Sequence, residues 1–186
     1  MSEARQRLVE DAQRTIAAGS KSFRFASQIF DLKTRERSWL LYAWCRACDD
    51  VTDGQTLGHG AVEPRDPEAR IAFLRAQTDA ALDGRATGIA PFDALAIVAA
   101  ECAIPRNLPA DHLAGFARDA ARWRPESEDD LLGYCFQVAG AVGVMMAHVM
   151  GVDPADRDTL NRAADLGIAF QLANIARDIV DRKSVV

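Results

Sequence analysis

The chain has 186 residues, 49% of them hydrophobic and 26% charged, which excludes a disordered or collagen-like polymer and leaves enough apolar material for a sizeable core. Twenty-two Lys+Arg stand against 27 Asp+Glu, a net charge of −5 with no long basic run, so a nucleic-acid partner is excluded on charge. At roughly 150 residues per domain, one domain is the expectation.

Apolar spacing is helical nearly throughout, and no run of alternating β-branched residues reads as a strand, so the expected class is all-α. A first helix carries Leu8, Val9, Ala12 and Ile16 on one face and stops at Gly19. Thr34 is the expected cap of a helix through Trp39, Leu40, Ala43, Trp44 and Ala47, which ends in acid before a surface loop from Gly54 to Arg65. Asp66-Pro67 and Asp153-Pro154 each put a capping side chain ahead of a proline, and Pro91 and Pro109 start two further helices. Ser127, followed by Glu128, Asp129 and Asp130, opens a helix running to Met150, roughly 36 Å long at 1.5 Å per residue. Its small residues Ala139, Gly140, Ala141 and Gly143 allow close approach of a neighbouring helix or of a ligand, helix packing being the plainer explanation. No apolar stretch is expected to reach the roughly 18 to 20 residues of a spanning helix, and the N-terminus MSEARQRLVEDAQ is too polar for a signal peptide, which implies a cytoplasmic protein. The cysteines Cys45, Cys48, Cys102 and Cys135 are then reduced, and the Cys45/Cys48 pair reads as two core residues of one helix rather than a redox or zinc motif. His112 and His148 lack metal-ligand spacing, and His148 reads as a satisfied core residue.

Two polar constellations carry chemistry. Asp49 and Asp53, four residues apart, project from one helix face at a C-terminus, where negative charge is disfavoured and a cation is needed. Mg²⁺ takes oxygen ligands and commonly bridges one or two carboxylates to a phosphate. An isolated DxxxD is more often a solvated acidic helix end leading into a loop. Gln171, Asn174 and Asp178 form a second stripe at spacings of three and four, flanked by Leu166, Ile168, Phe170, Leu172 and Ile175, which leave little room for a second exposed side. Amides and a carboxylate in that setting need partners, and an ion or a polar ligand supplies them.

Four segments in order, SKSF (20–23), YAWCRACDDVTD (42–53), GYCFQVAGAVG (133–143) and FQLANIARD (170–178), together resemble the squalene/phytoene synthase family. LYAWCR, DDVTDGQTLG and LGIAFQLANIARDIVD look most like its bacterial phytoene-forming branch. The resemblance implies an all-α isoprenoid (terpenoid) synthase fold. It also implies a head-to-head condensation of two geranylgeranyl diphosphates to phytoene through a cyclopropylcarbinyl diphosphate, with Mg²⁺ (or Mn²⁺) joining two Asp-rich helices to the substrate diphosphates. Carried over by position, Asp49, Asp53, Asn174 and Asp178 are the metal ligands, with Gln171 beside them. Ser20, Arg46 and Arg177 contact diphosphate, Lys21 is a further phosphate contact, and Phe23, Tyr134, Val138 and Val142 line the prenyl cavity, whose wall the small-residue run suits. Asp49, Asp53, Asp178 and Arg46 are the residues expected to carry catalysis, in a dry pocket. A greasy substrate and product imply contact with a membrane surface; oligomeric state is left open.

The family pattern departs at Arg182, where an acid is expected, and the further helices that close the cavity in the family do not follow. The expectation is a partial synthase domain over residues 1–180 and a non-native tail over 181–186, with little or no turnover from this chain and open apolar walls. The alternatives are a squalene or dehydrosqualene synthase using farnesyl diphosphate, and a non-catalytic assembly or binding relative.

Overall fold

A computed structural model describes residues 3–53 and 66–183; the side chains of residue 53 and of residues 179–183 are outside that description, as are the expected loop at 54–65 and the last three residues of the tail. Every regular element among the described residues is helical. The chain divides into two compact units, residues 1–106 and 107–186.

In the first unit, helices α1 (Glu3–Gly19), α3 (Leu32–Asp53), α4 (Pro67–Leu82) and α5 (Ala90–Cys102) pack around one core, and a short α2 (Lys21–Ala26) with a 3₁₀ turn (Ser27–Ile29) links α1 to α3. Val9, Ala12 and Ile16 bring the expected face of α1 against Leu40, Leu41 and Trp44 of α3 and Phe92, Leu95 and Val98 of α5, all buried. Each such side chain contributes roughly 1.5–3 kcal/mol by leaving water. The indole N–H of Trp44 donates to Thr78 Oγ1 of α4 at 3.3 Å, so its one polar atom is satisfied inside the core. Around this core Arg5 of α1 reaches Glu36 (2.7 Å) and Glu101 (2.6 Å), and Arg37 also reaches Glu101 (2.8 Å), tying α1, α3 and α5 together.

One start signal of this unit differs from expectation. Asp31, not Thr34, caps α3, its carboxylate accepting from the backbone N–H groups of Lys33 (2.9 Å) and Thr34 (3.1 Å). Asp66 does cap α4 as expected, with Pro67 in the first turn and the Ala69 N–H donating to the Asp66 carboxylate at 2.9 Å.

The second unit holds α6 (Asn107–Ala120), α7 (Glu128–Cys135), α8 (Ala141–Val149) and α9 (Arg157–Lys183). A π-helical turn, Phe136–Gly140, joins α7 to α8 into one long rod, capped by Ser127 as the sequence implies. Contrary to expectation this rod, Glu128–Val149, is long and apolar enough to cross a membrane by length and composition, although 44% of the apolar window is buried inside the chain, as a core helix would be. Asp153-Pro154 forms a turn in which the Asp153 side chain accepts from the Ala155 N–H, and α9 is capped instead by Asp156, which accepts from the N–H (3.1 Å) and hydroxyl (2.6 Å) of Thr159.

The small residues of the rod make a seam with α9 rather than a channel wall. A methyl added to Gly143 would lie 2.3 Å from the carbonyl oxygen of Ala163, and one added to Gly167 would lie 2.5 Å from that of Ala139. The two backbones therefore touch, antiparallel, and only glycine fits at the crossing. His148 is buried as expected, but its Nδ1 has no hydrogen-bond partner among the described residues.

Candidate active site

The first group of candidate residues lies in the first unit, where α3 presents Tyr42, Arg46 and Asp49 at intervals of four and three on one helical face, with the backbone of Asp53 one turn further on. Arg46 is half-buried and committed: its Nε and Nη2 both donate to Asp50 Oδ1, at 3.0 and 2.6 Å. Burial works against the guanidinium charge, and the Asp50 carboxylate more than offsets it. Asp50, which the sequence reading passed over, is thus the group that fixes Arg46 in place. Asp49 is partly buried one turn further along, on the face of Arg46 and Tyr42.

Tyr42 is also missing from the sequence-derived set. Its ring stacks on Phe23 with centroids 5.4 Å apart, and Gly19 at the end of α1 leaves room for the hydroxyl, which a methyl there would meet at 2.5 Å. Burial raises the phenol above its ordinary value, Arg46 pulls it down, and Asp49 and Asp50 push it up again, so the hydroxyl stays protonated beside the acids. The signal for it was present as the spacing Tyr42–Arg46–Asp49. Ser20 spends its hydroxyl as the N-cap of α2, accepting from the Phe23 N–H at 3.2 Å, and Lys21 next to it is exposed. The SKSF segment therefore seats Phe23 against Tyr42 and leaves Lys21 exposed.

The second group lies in the second unit. Tyr134 donates its hydroxyl to Asp119 of α6 at 2.8 Å and tilts against Trp123, and Val138 packs on Gly115 of α6, so both are engaged with α6. Val142 is half-buried. On α9 the contacts of Gly143 with Ala163 and of Gly167 with Ala139 set a register in which one residue gained on α9 is one lost on the rod. Gln171 falls inside the overlap and is half-buried; Asp178 comes level with Glu128, where the rod begins, and Asn174, Arg177 and Asp178 are all exposed. Leu166 and Phe170 are exposed as well, at 59% and 64%, so the apolar flanks do not force the stripe inward. Arg177 leans on Asp178 at 3.3 Å, an exposed pair of neighbours that constrains neither.

Among the described residues, no three His, Cys, Asp or Glu side chains gather into a metal-binding group. The donors at hand are carboxylates and an amide oxygen, one or two to a helix end, which suits a hard ion that keeps waters and takes phosphate oxygens, and does not suit zinc or a closed calcium cage.

Residues 16–184 match the Squalene/phytoene synthase family. The chain is 50% identical over 176 residues to a 15-cis-phytoene synthase of Pantoea ananas, covering 94% of this chain and 56% of that protein. It is 35% identical over 169 residues to the chloroplastic phytoene synthase 1 of Arabidopsis thaliana, covering 86% and 37%. Among solved structures, a dehydrosqualene synthase in complex with ligand superposes with a TM-score of 0.79 at 29% identity, over 93% of this chain and 57% of that one. Squalene synthase HpnC of Alicyclobacillus acidocaldarius superposes at 0.84 and 22% identity, over 100% and 66%, a likeness of fold alone. The chain thus spans a little over half the length of the bacterial relatives named here, and on the match over residues 16–184 it belongs to the squalene/phytoene synthase family.

Proposed function

We propose that the whole protein joins two geranylgeranyl diphosphates head to head to form phytoene in carotenoid biosynthesis. The observation that carries this reading is the α3 face on which Tyr42, Arg46 and Asp49 follow one another beside the capped SKSF turn, in a chain half identical to proteins named phytoene synthase. In the reaction the allylic C–O bond of one substrate breaks and diphosphate leaves. The double bond of the second substrate attacks the cation, proton loss closes a cyclopropane, and a second ionisation, rearrangement and proton loss give the C40 product.

Asp49, Asp53, Asn174 and Asp178 are the residues that would hold Mg²⁺ (or Mn²⁺), and bound there the ion supplies Lewis-acid neutralisation of the leaving diphosphate. The chain's own part is electrostatic and steric. Arg46, held by Asp50, and Arg177 and Lys21, on exposed surfaces, offer guanidinium and ammonium donors to diphosphate oxygens, and Ser20 keeps the turn that carries Lys21 and Phe23 in register. Phe23 and Tyr42 form an aromatic wall against which a prenyl chain excludes water, and Tyr134, Val138 and Val142 offer further apolar lining while Gln171 lies next to the second acid. Contact with a membrane surface is supported by the exposed Phe25 (75%) and Ile29 (84%) beside the exposed cations Lys21 and Arg24.

Product analysis of the whole protein with geranylgeranyl and farnesyl diphosphates in parallel tests the assignment. Phytoene from the first, with loss of turnover in Asp49→Asn, is the expected result; a C30 product alone would move the protein to the squalene or dehydrosqualene branch, and no product from either would leave a binding relative. Sedimentation with phosphatidylcholine–phosphatidylglycerol vesicles, lost in a Phe25→Ser/Ile29→Ser variant, is the expected result for membrane contact.

A further inference from the structure

We infer that Arg70 is a positioning residue for the first aspartate pair. Its guanidinium reaches from α4 to the carboxy-terminal end of α3, where Nη1 donates to the backbone carbonyl oxygen of Val51 at 2.6 Å. Val51 lies midway between Asp49 and Asp53, in the last described turn of α3. The last turn of α3 has no basic residue of its own, and the nearest cation on the same helix, Arg46, is engaged with Asp50. Residues 49–53 put three acids into that turn, where like charges four residues apart repel and a cation brought from another element is stabilising.

Arg70 is well placed to supply it. It sits one turn into α4, whose start is fixed by the Asp66 cap and by Pro67, so the stem of the arginine projects from a rigid point. The Thr52 hydroxyl donates back to the Cys48 carbonyl at 2.9 Å, a bond that gives the last turn local support but no charge compensation. A charge-assisted bond onto Val51 does both: it ties a carbonyl of that turn to α4 and brings a positive charge to the backbone between Asp49 and Asp53. Kept wound through Asp53, α3 holds the Asp49 and Asp53 backbones one turn apart, the spacing at which two carboxylates can share one cation. The inference rests on the reading of that pair as metal ligands, and its structural half can be tested apart from it.

Hydrogen exchange of the peptide covering residues 48–53 and Mn²⁺ uptake followed by electron paramagnetic resonance are measured on the chain, on Arg70→Met and on Arg70→Lys. In Arg70→Met the amides of Thr52 and Asp53 are expected to exchange about tenfold faster, the loss of one hydrogen bond to a charged group, and Mn²⁺ affinity to fall by a similar factor. Arg70→Lys keeps the charge and one donor and is expected to lie between. Unchanged exchange in Arg70→Met overturns the inference, and so does tighter Mn²⁺ binding, which would mean that Arg70 acts only as a competing charge. A change in thermal midpoint with neither readout moved would mark Arg70 as a packing residue and also overturn it. If Asp49→Asn takes up Mn²⁺ as the unchanged chain does, the metal reading fails, and the exchange data alone decide what Arg70 does.

Discussion

Two glycines of the second unit should respond in opposite directions to the same added methyl. In an exposed helix interior Gly→Ala stabilises by roughly 0.5–1 kcal/mol, because alanine has less backbone entropy to lose. At Gly133 in α7 a new Cβ meets nothing within 4 Å, so Gly133→Ala is expected to realise that gain. At Gly167 the new Cβ would lie 2.5 Å from the Ala139 carbonyl oxygen and 2.8 Å from both the Ala139 carbonyl carbon and Gly140 Cα. All three are backbone atoms, so no rotamer change clears the space and the two helices have to separate. Overpacking of this kind costs about 1–3 kcal/mol, which outweighs the entropic gain and leaves a net loss of about 1–2 kcal/mol. For a chain of this size about 1 kcal/mol moves the thermal midpoint by roughly 2–4 °C. Thermal unfolding followed by far-ultraviolet circular dichroism should therefore give Gly133→Ala a midpoint about 1–4 °C higher and Gly167→Ala one about 2–8 °C lower. Equal midpoints, or a higher one for Gly167→Ala, would refute the backbone seam between the rod and α9.

Glu101→Gln removes the charge on which Arg5 and Arg37 converge and is expected to cost about 2–4 kcal/mol in urea unfolding, within reach of a broken buried pair because these side chains keep only 12–26% exposure. Hydrogen bonds from Arg5 and then Arg37 hold the Glu101 carboxyl below its ordinary 4.5, so its stabilisation is complete above that value and is lost as pH falls through the depressed one; the variant should show a flatter acid limb in a midpoint-against-pH series. His112 is buried neutral, and burial pulls its pKa from 6.5 down to about 4. Stability should therefore decline as pH falls from 6.5 toward 4, and the His112 ring resonances should stay fixed above about one unit over that lower value in an NMR titration. Asp50→Asn leaves Arg46 without its anchor and is expected to weaken inorganic pyrophosphate binding by about three- to tenfold in calorimetry, through lost pre-positioning of one charge-assisted donor; unchanged affinity would mean that Asp50 does not orient Arg46.

Much of this architecture could be read from periodicity and caps. The face Val9–Ala12–Ile16, the caps Asp66 and Ser127, and the small-residue run packed by a neighbouring helix all emerge from local rules, because each depends on residues three or four apart. What escaped depends on choices between equivalent groups. Asp31 and Thr34 both cap well, as do Asp153 and Asp156, and only the path of the chain selects one. Tyr42 and Asp50 were passed over because attention to a DxxxD pattern favours the acids that share its face, whereas the side chain holding Arg46 is the acid that does not. The stripe Gln171–Asn174–Asp178 turns outward although the rod accompanies α9 to the level of Glu128, because the flanking Leu166 and Phe170 are exposed too, and no local pattern reports which flank of a helix is covered.

Beyond Leu172, every residue of 173–178 except Ile175 is exposed, so side-chain packing adds little there to the backbone hydrogen bonds of α9. Such turns are propagated from the packed part of the helix, and little tertiary packing adds to their stability. Whatever recruits Asn174 and Asp178 has to immobilise side chains that packing leaves free to rotate, at a cost of up to roughly 1–2 kcal/mol each in lost rotamer freedom. Affinity at this half of the chemistry is then a gauge of stiffness, rising whenever a further surface packs against α9.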